Sequence, residues 1–263
     1  MIENNGAYRK VKHGLIWGSV LLGFIVLTYF SIQRKEKQTI KNLNIKIESP
    51  ENQKALVSKD EVRKLFEGYL GYDPLLAEVK ELNLDELEAL LINDGRLEKV
   101  KVFLDANNDL CVNLFEKKVV VRVLKKELSY YLDERGGRVP TVKNRAIRVP
   151  IATGDIEEYS RELLDSKLQS NLKDIWTLSK VIESDPFLNA LIEQIDIDDK
   201  GMITMIPKIG REKIMLSGSD IEDKLTNLKI FYKEGLPREG WSKYASINLD
   251  IKGQIVAERL ENH

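Results

Sequence analysis

The 263-residue sequence has a single cysteine, Cys111, and only two histidines, His13 and His263. One thiol excludes an internal disulfide. The histidines stand beside an apolar run near the start and at the last position, so no internal histidine-based triad or histidine zinc site can be assembled. An excess of charge is also missing: 41 Lys and Arg meet 42 Asp and Glu, a net charge of −1. Nucleic acid is therefore not expected as a partner, because phosphate binding needs a basic excess or stripe. No phosphate-cradling loop is present. Gly136-Gly137 lacks the third glycine of a dinucleotide fingerprint and follows a hairpin-like strand. There is no repeat at solenoid periods and no long low-complexity tract. These gaps lead us to expect no catalytic residue, no cofactor, no metal and no small-molecule substrate.

Three features could still carry chemistry, and each has a plainer reading. Cys111 lies between Leu110 and Val112 and reads as a buried small strand residue, not a reactive thiol. Asp196 to Gly201 resembles the start of a calcium loop, but Lys200 occupies a ligand position and Pro207 stands where Glu is needed. A polar hairpin turn accounts for it. Glu157-Glu158 and Glu222-Asp223 fall at helix starts, where carboxylates favourably meet the helix dipole.

What the sequence does contain begins with an uncharged stretch from Gly14 to Ile32. As a helix it spans about 28 Å, close to the hydrocarbon thickness of a bilayer. Trp17 and Tyr29 sit near its ends, as membrane interfaces favour. No small-residue cleavage site follows, so an uncleaved anchor is expected in place of a signal peptide. Basic residues flank both ends, Arg9, Lys10 and Lys12 before and Arg34, Lys35 and Lys37 after, which nearly balances the positive-inside rule.

After a polar linker, Leu43, Ile45 and Ile47 alternate as a half-buried strand. Ser58 and Glu61 form a capping box for a helix carrying Val62, Leu65, Phe66, Tyr69 and Leu70, with Gly71 at its end. Asn83 and Glu86 open a second helix, closed by Gly95. Two strands flank the Asp105–Asp109 turn. This is one small α/β unit from about Ile40 to Glu116. Beyond it, Val119 to Leu132 runs into a turn at Asp133–Arg138, and a strand is expected over Ile147–Ile151. A long helix follows from Glu158 to Glu183, stopped by Asp185-Pro186, with Leu163, Leu164, Leu168, Leu172, Ile175 and Leu178 available for its buried face. Strands follow near Ile192–Ile197, Met202–Ile206 and Ile209–Leu216. A helix from Ser219 carries Ile221, Leu225, Leu228 and Tyr232, ended by Gly235 and Pro237. The last segment, Ile247 to Leu260, alternates as one strand or two short ones around Gly253. A terminal strand on a sheet edge could accept a strand from another protein through its backbone; an interior or protected strand is the alternative.

Taken together these parts resemble the FtsQ/DivIB family of bacterial cell-division proteins. Glu116-Lys117-Lys118-Val119-Val120 is similar to the family's segment leaving a POTRA unit, with lysine and valine at the usual Arg and Pro. Tyr131 to Pro140, with Asp133, Gly136 and Pro140 in place, is similar to its Leu-x-Asp-x-x-Gly-x-x-x-Pro hairpin. Asp220, Lys224, Leu225 and Leu228 match its Asp-x-x-x-Lys-Leu-x-x-Leu helix. Tyr244 to Val256 is similar to its terminal pattern, with Asn248 for Asp, Asp250 for the basic residue and Ile251 where Tyr is frequent. The Lys- and Asn-rich style resembles Bacteroidetes members.

The resemblance implies an α+β protein with one transmembrane helix, a POTRA-like domain of β-α-α-β-β order and a β-rich domain with two helices. The boundaries expected are a cytoplasmic tail over 1–13, the anchor over 14–32, a linker over 33–39, the POTRA-like domain over 40–124 and the β domain over 125–260. It implies a non-enzymatic scaffold in the inner membrane at the division septum, with its tail in the cytoplasm and its bulk in the periplasm. Its implied partners are FtsB- and FtsL-like single-pass proteins and the septal peptidoglycan synthase complex. Strand addition would use Asp250, Ile251, Lys252, Gly253, Gln254, Ile255 and Val256. The alternative is a POTRA-containing transport or assembly component.

Overall fold

The computed structural model describes residues 17–28 and 38–260, apart from 144, 166, 168, 241, 242 and 252. Residues 17–28 form a helix, α1, whose side chains are exposed. No helix among the described residues is long and apolar enough to cross a membrane. The remaining ends of the expected anchor, 14–16 and 29–32, lie outside the described residues, as do the tail, linker residues 33–37 and both histidines.

The chain divides into two compact units: residues up to 47 with 58–93 and 99–114, and residues 48–57 and 94–98 with 115–263. In the first, β1 (Leu43–Glu48), α2 (Lys59–Leu70), α3 (Leu84–Ile92), β2 (Leu97–Leu104) and β3 (Leu110–Glu116) follow in sequence, with the strands in sheet order β1-β3-β2. The capping box forms as expected: the Ser58 hydroxyl accepts from the Glu61 N–H, and the Glu61 carboxylate accepts from the Ser58 N–H. Gly71 closes α2 in the left-handed conformation. Asn83 caps α3 by accepting the Glu86 N–H. Alternation along β3 buries Leu110, Val112 and Leu114. It turns Cys111 to the other face, where the thiol is half-buried and not enclosed as expected.

The second unit is built on nine strands in the order β12-β11-β10-β9-β8-β7-β4-β5-β6. These are β4 (Val119–Lys125), β5 (Leu128–Asp133), β6 (Arg138–Pro140), β7 (Ile151–Gly154), β8 (Ile192–Ile197), β9 (Met202–Pro207), β10 (Lys213–Ser217), β11 (Tyr244–Asn248) and β12 (Val256–Arg259). The pairs β4–β7, β7–β8 and β10–β11 are parallel and the others antiparallel. Helices α4 (Arg161–Asp165), α5 (Asn171–Ser184), α6 (Pro186–Leu191), α7 (Ile221–Ile230) and α8 (Leu236–Glu239) complete it. Helix α5 packs on β4 and β8, and α7 on β10. Leu172, Ile175, Leu178 and Ile182 of α5 join Val121, Val123, Ile195 and Met205 of the sheet in one core. Burying side chains of this size contributes about 1.5–3 kcal/mol each before chain entropy is set against it.

Several expectations need correction. The long helix over Glu158–Glu183 is two helices. Ser170 caps α5 by accepting the Lys173 N–H, and Glu157 accepts the N–H groups of Asn171 and Leu172. Those first-turn donors are thus satisfied from outside the helix, so the chain need not enter α5 as a helix. Leu168 lies outside the described residues. The strand expected over Ile147–Ile151 starts only at Ile151, after Pro150, whose ring leaves no N–H for the ladder. Ile209 is not in a strand but 85% exposed in the loop before β10. Val119 to Leu132 is a hairpin, turning at Lys126 with φ 51°. Pro186 both ends α5 and opens α6, a role proline takes at a first helical position. Gly235 and Pro237 do not end α7. A π-turn over Phe231–Gly235 leads into α8, where Pro237 again sits in a first turn.

Candidate partner-binding edge

The end of the chain forms the hairpin β11–β12, in register Ser246↔Glu258, Ile247↔Ala257 and Asn248↔Val256. Strand β11 lies parallel to β10, while β12 stands last in the sheet. Its other side meets no strand among the described residues. In an antiparallel strand alternate residues turn their N–H and C=O to opposite sides. Half of the β12 backbone groups therefore face away from β11, the arrangement that can accept another strand. Val256, Glu258 and Arg259 have exposed side chains, and Ala257 is half-buried against the core.

The predicted contact residues fall mostly before this strand. Asp250 is pinned inward. Its Oδ1 accepts from the Ser217 N–H at 2.7 Å, the Ser217 hydroxyl at 2.9 Å and the Lys224 ammonium at 2.7 Å. Burial works against the Asp250 carboxylate, but these donors outweigh it and hold the group below its ordinary value. Ile251 is 46% exposed at the start of the turn. Lys252 lies outside the described residues. Gly253 takes φ 70°, a conformation that favours glycine, and the Gln254 N–H donates to the Ile251 carbonyl across the turn. Ile255 is half-buried, and Val256 opens β12. The prediction thus gathers one loop and the first residue of the free strand.

Beside the loop lies a groove of about 430 Å³, whose walls include Ile230 and Phe231 of the α7 end and Gly253 to Ile255 of the loop. Phe231 packs on Tyr244 of β11, rings 5.7 Å apart. The π-turn directs Phe231 this way while Tyr232, next in sequence, is buried and donates to Glu212 at 2.5 Å. The groove was not foreseen, because a one-residue widening of a helix leaves no period to read. In the sequence Lys224 stands out only as part of a motif. Its position offered a signal: with Ile221, Leu225 and Leu228 at helical spacing, Lys224 falls within the apolar stripe. A lysine there must find partners inside.

The other quoted motifs hold the fold. Asp133 accepts the N–H groups of Arg135 and Gly137 and so closes the turn between β5 and β6. The Trp176 indole donates to the Asp133 carbonyl. Glu116 is buried and accepts the Val57 N–H at 2.7 Å. Asp198 accepts the N–H groups of Lys200 and Met202, which makes Asp198–Gly201 a hairpin turn. No group of His, Cys, Asp and Glu among the described residues could hold a metal ion. Burial pushes the Cys111 thiol up, away from the thiolate form that reacts.

No curated protein matches the chain. A family model described as FtsQ/DivIB, C-terminal related, matches residues 118–258, the β4–β12 sheet and its helices, more than half of the sequence. The chain belongs to the FtsQ/DivIB C-terminal related family, which ties it to bacterial cell division.

Proposed function

We propose that this protein is a non-catalytic adaptor of the division machinery that accepts a strand from an FtsB-type partner along β12. The observation that carries the reading is the position of β12. Among the described residues it is the last strand of the sheet and pairs on one side only, and it begins where a tight loop delivers it. Main-chain hydrogen bonds would supply affinity there, and side chains at alternate positions specificity. In this reading Gly14 to Ile32 anchors the protein in the inner membrane, and a POTRA-like domain precedes the β domain. The strand, two helices and two strands from Leu43 to Glu116 match that order. Confinement to one membrane raises the effective concentration of FtsB- and FtsL-like single-pass partners. Through them the protein would help regulate the septal peptidoglycan synthases.

Proline substitution tests the edge. Ala257 and Glu258 turn their N–H groups to opposite sides, so one of Ala257→Pro and Glu258→Pro removes a donor from the free edge while sparing the β11 ladder. That variant should keep its near-UV circular dichroism and lose at least tenfold in affinity for the FtsB-type protein of the same cell. Undiminished binding by both folded variants would exclude β12. In cells, a fluorescent fusion of the full chain should form a ring at midcell.

A further inference from the structure

Strand addition needs an edge held in one place, yet β12 is only four residues long. Its ladder with β11 is short and carries a register shift between Tyr244 and Ser246. Something besides β11 must fix the loop that delivers it. Lys224 projects from α7 with only 9% of its surface exposed. Its Nζ donates to Asp250 Oδ1 at 2.7 Å, the Ser217 hydroxyl at 2.9 Å, the Ser217 carbonyl at 3.2 Å and the Ser219 hydroxyl at 3.5 Å. The same Asp250 oxygen accepts the Ser217 N–H, and the Asp250 N–H donates to Asn248 Oδ1. One ammonium therefore ties together the end of β10, the start of α7 and the β11–β12 loop.

We propose that Lys224 is a positioning residue for the partner-binding edge. Through Asp250 it fixes the root of the β11–β12 loop against α7, and so sets where β12 begins and keeps the groove along Ile230 and Phe231 open beside it. This rests on the reading of β12 as the partner's docking edge. The pair suits a positioning role better than a stabilising one. A buried ion pair roughly balances its desolvation cost, whereas removing one member leaves the other charge stranded. Among the described residues of the distal loop, by contrast, Ile251, Gly253 and Gln254 are exposed. The root is locked and the tip is left accessible. Helix α7 serves both purposes, since Lys224 faces the loop root and Ile230, nearly two turns on, lines the groove.

Hydrogen exchange on the full chain, with and without an FtsB-like peptide, tests this. In Lys224→Met the amides of Val256 to Arg259 should exchange at least tenfold faster while those of β8 and β9 keep their protection. Affinity for the peptide should fall at least fivefold. Lys224→Arg, which keeps the charge, should restore most of both. If Lys224→Met fails to fold, Asp250→Asn provides the same comparison, because it leaves Lys224 its Ser217 oxygens. Unchanged β12 exchange in a folded variant, or faster exchange spread evenly over the sheet, would overturn the proposal. The exchange result stands apart from the docking reading. Should the β12 proline variants bind normally, the edge is not the docking site, and the exchange rates alone decide whether Lys224 positions it.

Discussion

Asp250 and Asp174 show how position turns the same carboxyl in opposite directions. Asp250 is held below its ordinary value by Lys224 and Ser217 against the opposing effect of burial. Its contribution is present above the unfolded carboxyl range, near pH 4, and is lost as pH falls through the lower folded value. Asp250→Asn should therefore flatten part of the acid limb of a stability-against-pH curve measured by urea unfolding. Asp174 is raised, first by burial and then by the neighbouring charge of Glu157. A raised carboxyl disfavours folding once it is ionised, so the penalty is full at neutral pH and vanishes in acid. Asp174→Asn should raise Tm at pH 7 and lose that advantage as the pH approaches about 4. An unchanged Tm at pH 7 would show that the site is solvated after all. A third residue-scale effect involves no titration. Tyr232 is 2% exposed and donates to Glu212, itself 5% exposed. Tyr232→Phe should cost about 1–3 kcal/mol, the penalty for a buried acceptor stripped of its donor.

Among the elements, β7 makes the sharpest demand on one side chain. Gly154 ends it with φ 102°, and an added Cβ would run into the carbonyl of Ile197 on β8. Gly154→Ala should destabilise by more than the roughly 1–3 kcal/mol of backbone strain alone, because the parallel β7–β8 ladder must also open. Gly253 has a similar φ but nothing within 4 Å. Gly253→Ala should cost only about 1–2 kcal/mol, the left-handed penalty, and parallel urea melts of the two variants check the contrast. Local chemistry of this kind was partly legible beforehand. The Ser58 and Asn83 caps and the Asp198–Gly201 turn were readable because each is completed within a few residues. The start of α5 was not, since Leu163, Leu164 and Leu172 keep helical spacing across the break. The acceptors that fix the start of the helix include the Glu157 carboxylate, fourteen residues away from Asn171 in sequence. The loop root was hidden for the same reason. Asp250 finds its partners 26 and 33 residues back, and no window of periodicity reaches that far.

At the scale of the whole second unit, the sheet has two ends and they are finished differently. Strand β6 is three residues long and carries Pro140, and its Arg138 N–H donates to the Tyr159 hydroxyl. Proline and a diverted donor close an edge against pairing. A bound partner should therefore protect the amides of β12 and leave β6 unchanged. The unit is also not one continuous stretch of chain, since residues 48–57 and 94–98 belong to it. Val57 donates to buried Glu116, and the Gln53 side-chain amide donates to the Val119 carbonyl at 2.6 Å. The Leu56 carbonyl accepts from Arg96 at 2.8 Å and Arg145 at 3.3 Å. A fragment starting at Phe115 loses all four bonds, though it keeps the whole region matched to the family. At about 1 kcal/mol for each net hydrogen bond, that fragment should fold but be less stable than residues 48–263 by roughly 2–4 kcal/mol. Urea unfolding of the two pieces, followed by the fluorescence of Trp176, measures the difference. Equal midpoints and slopes would mean that the segment over 48–57 merely lies along the sheet. A lower midpoint with an unchanged slope would mean that the sheet needs residues contributed from before β2 to reach its full stability.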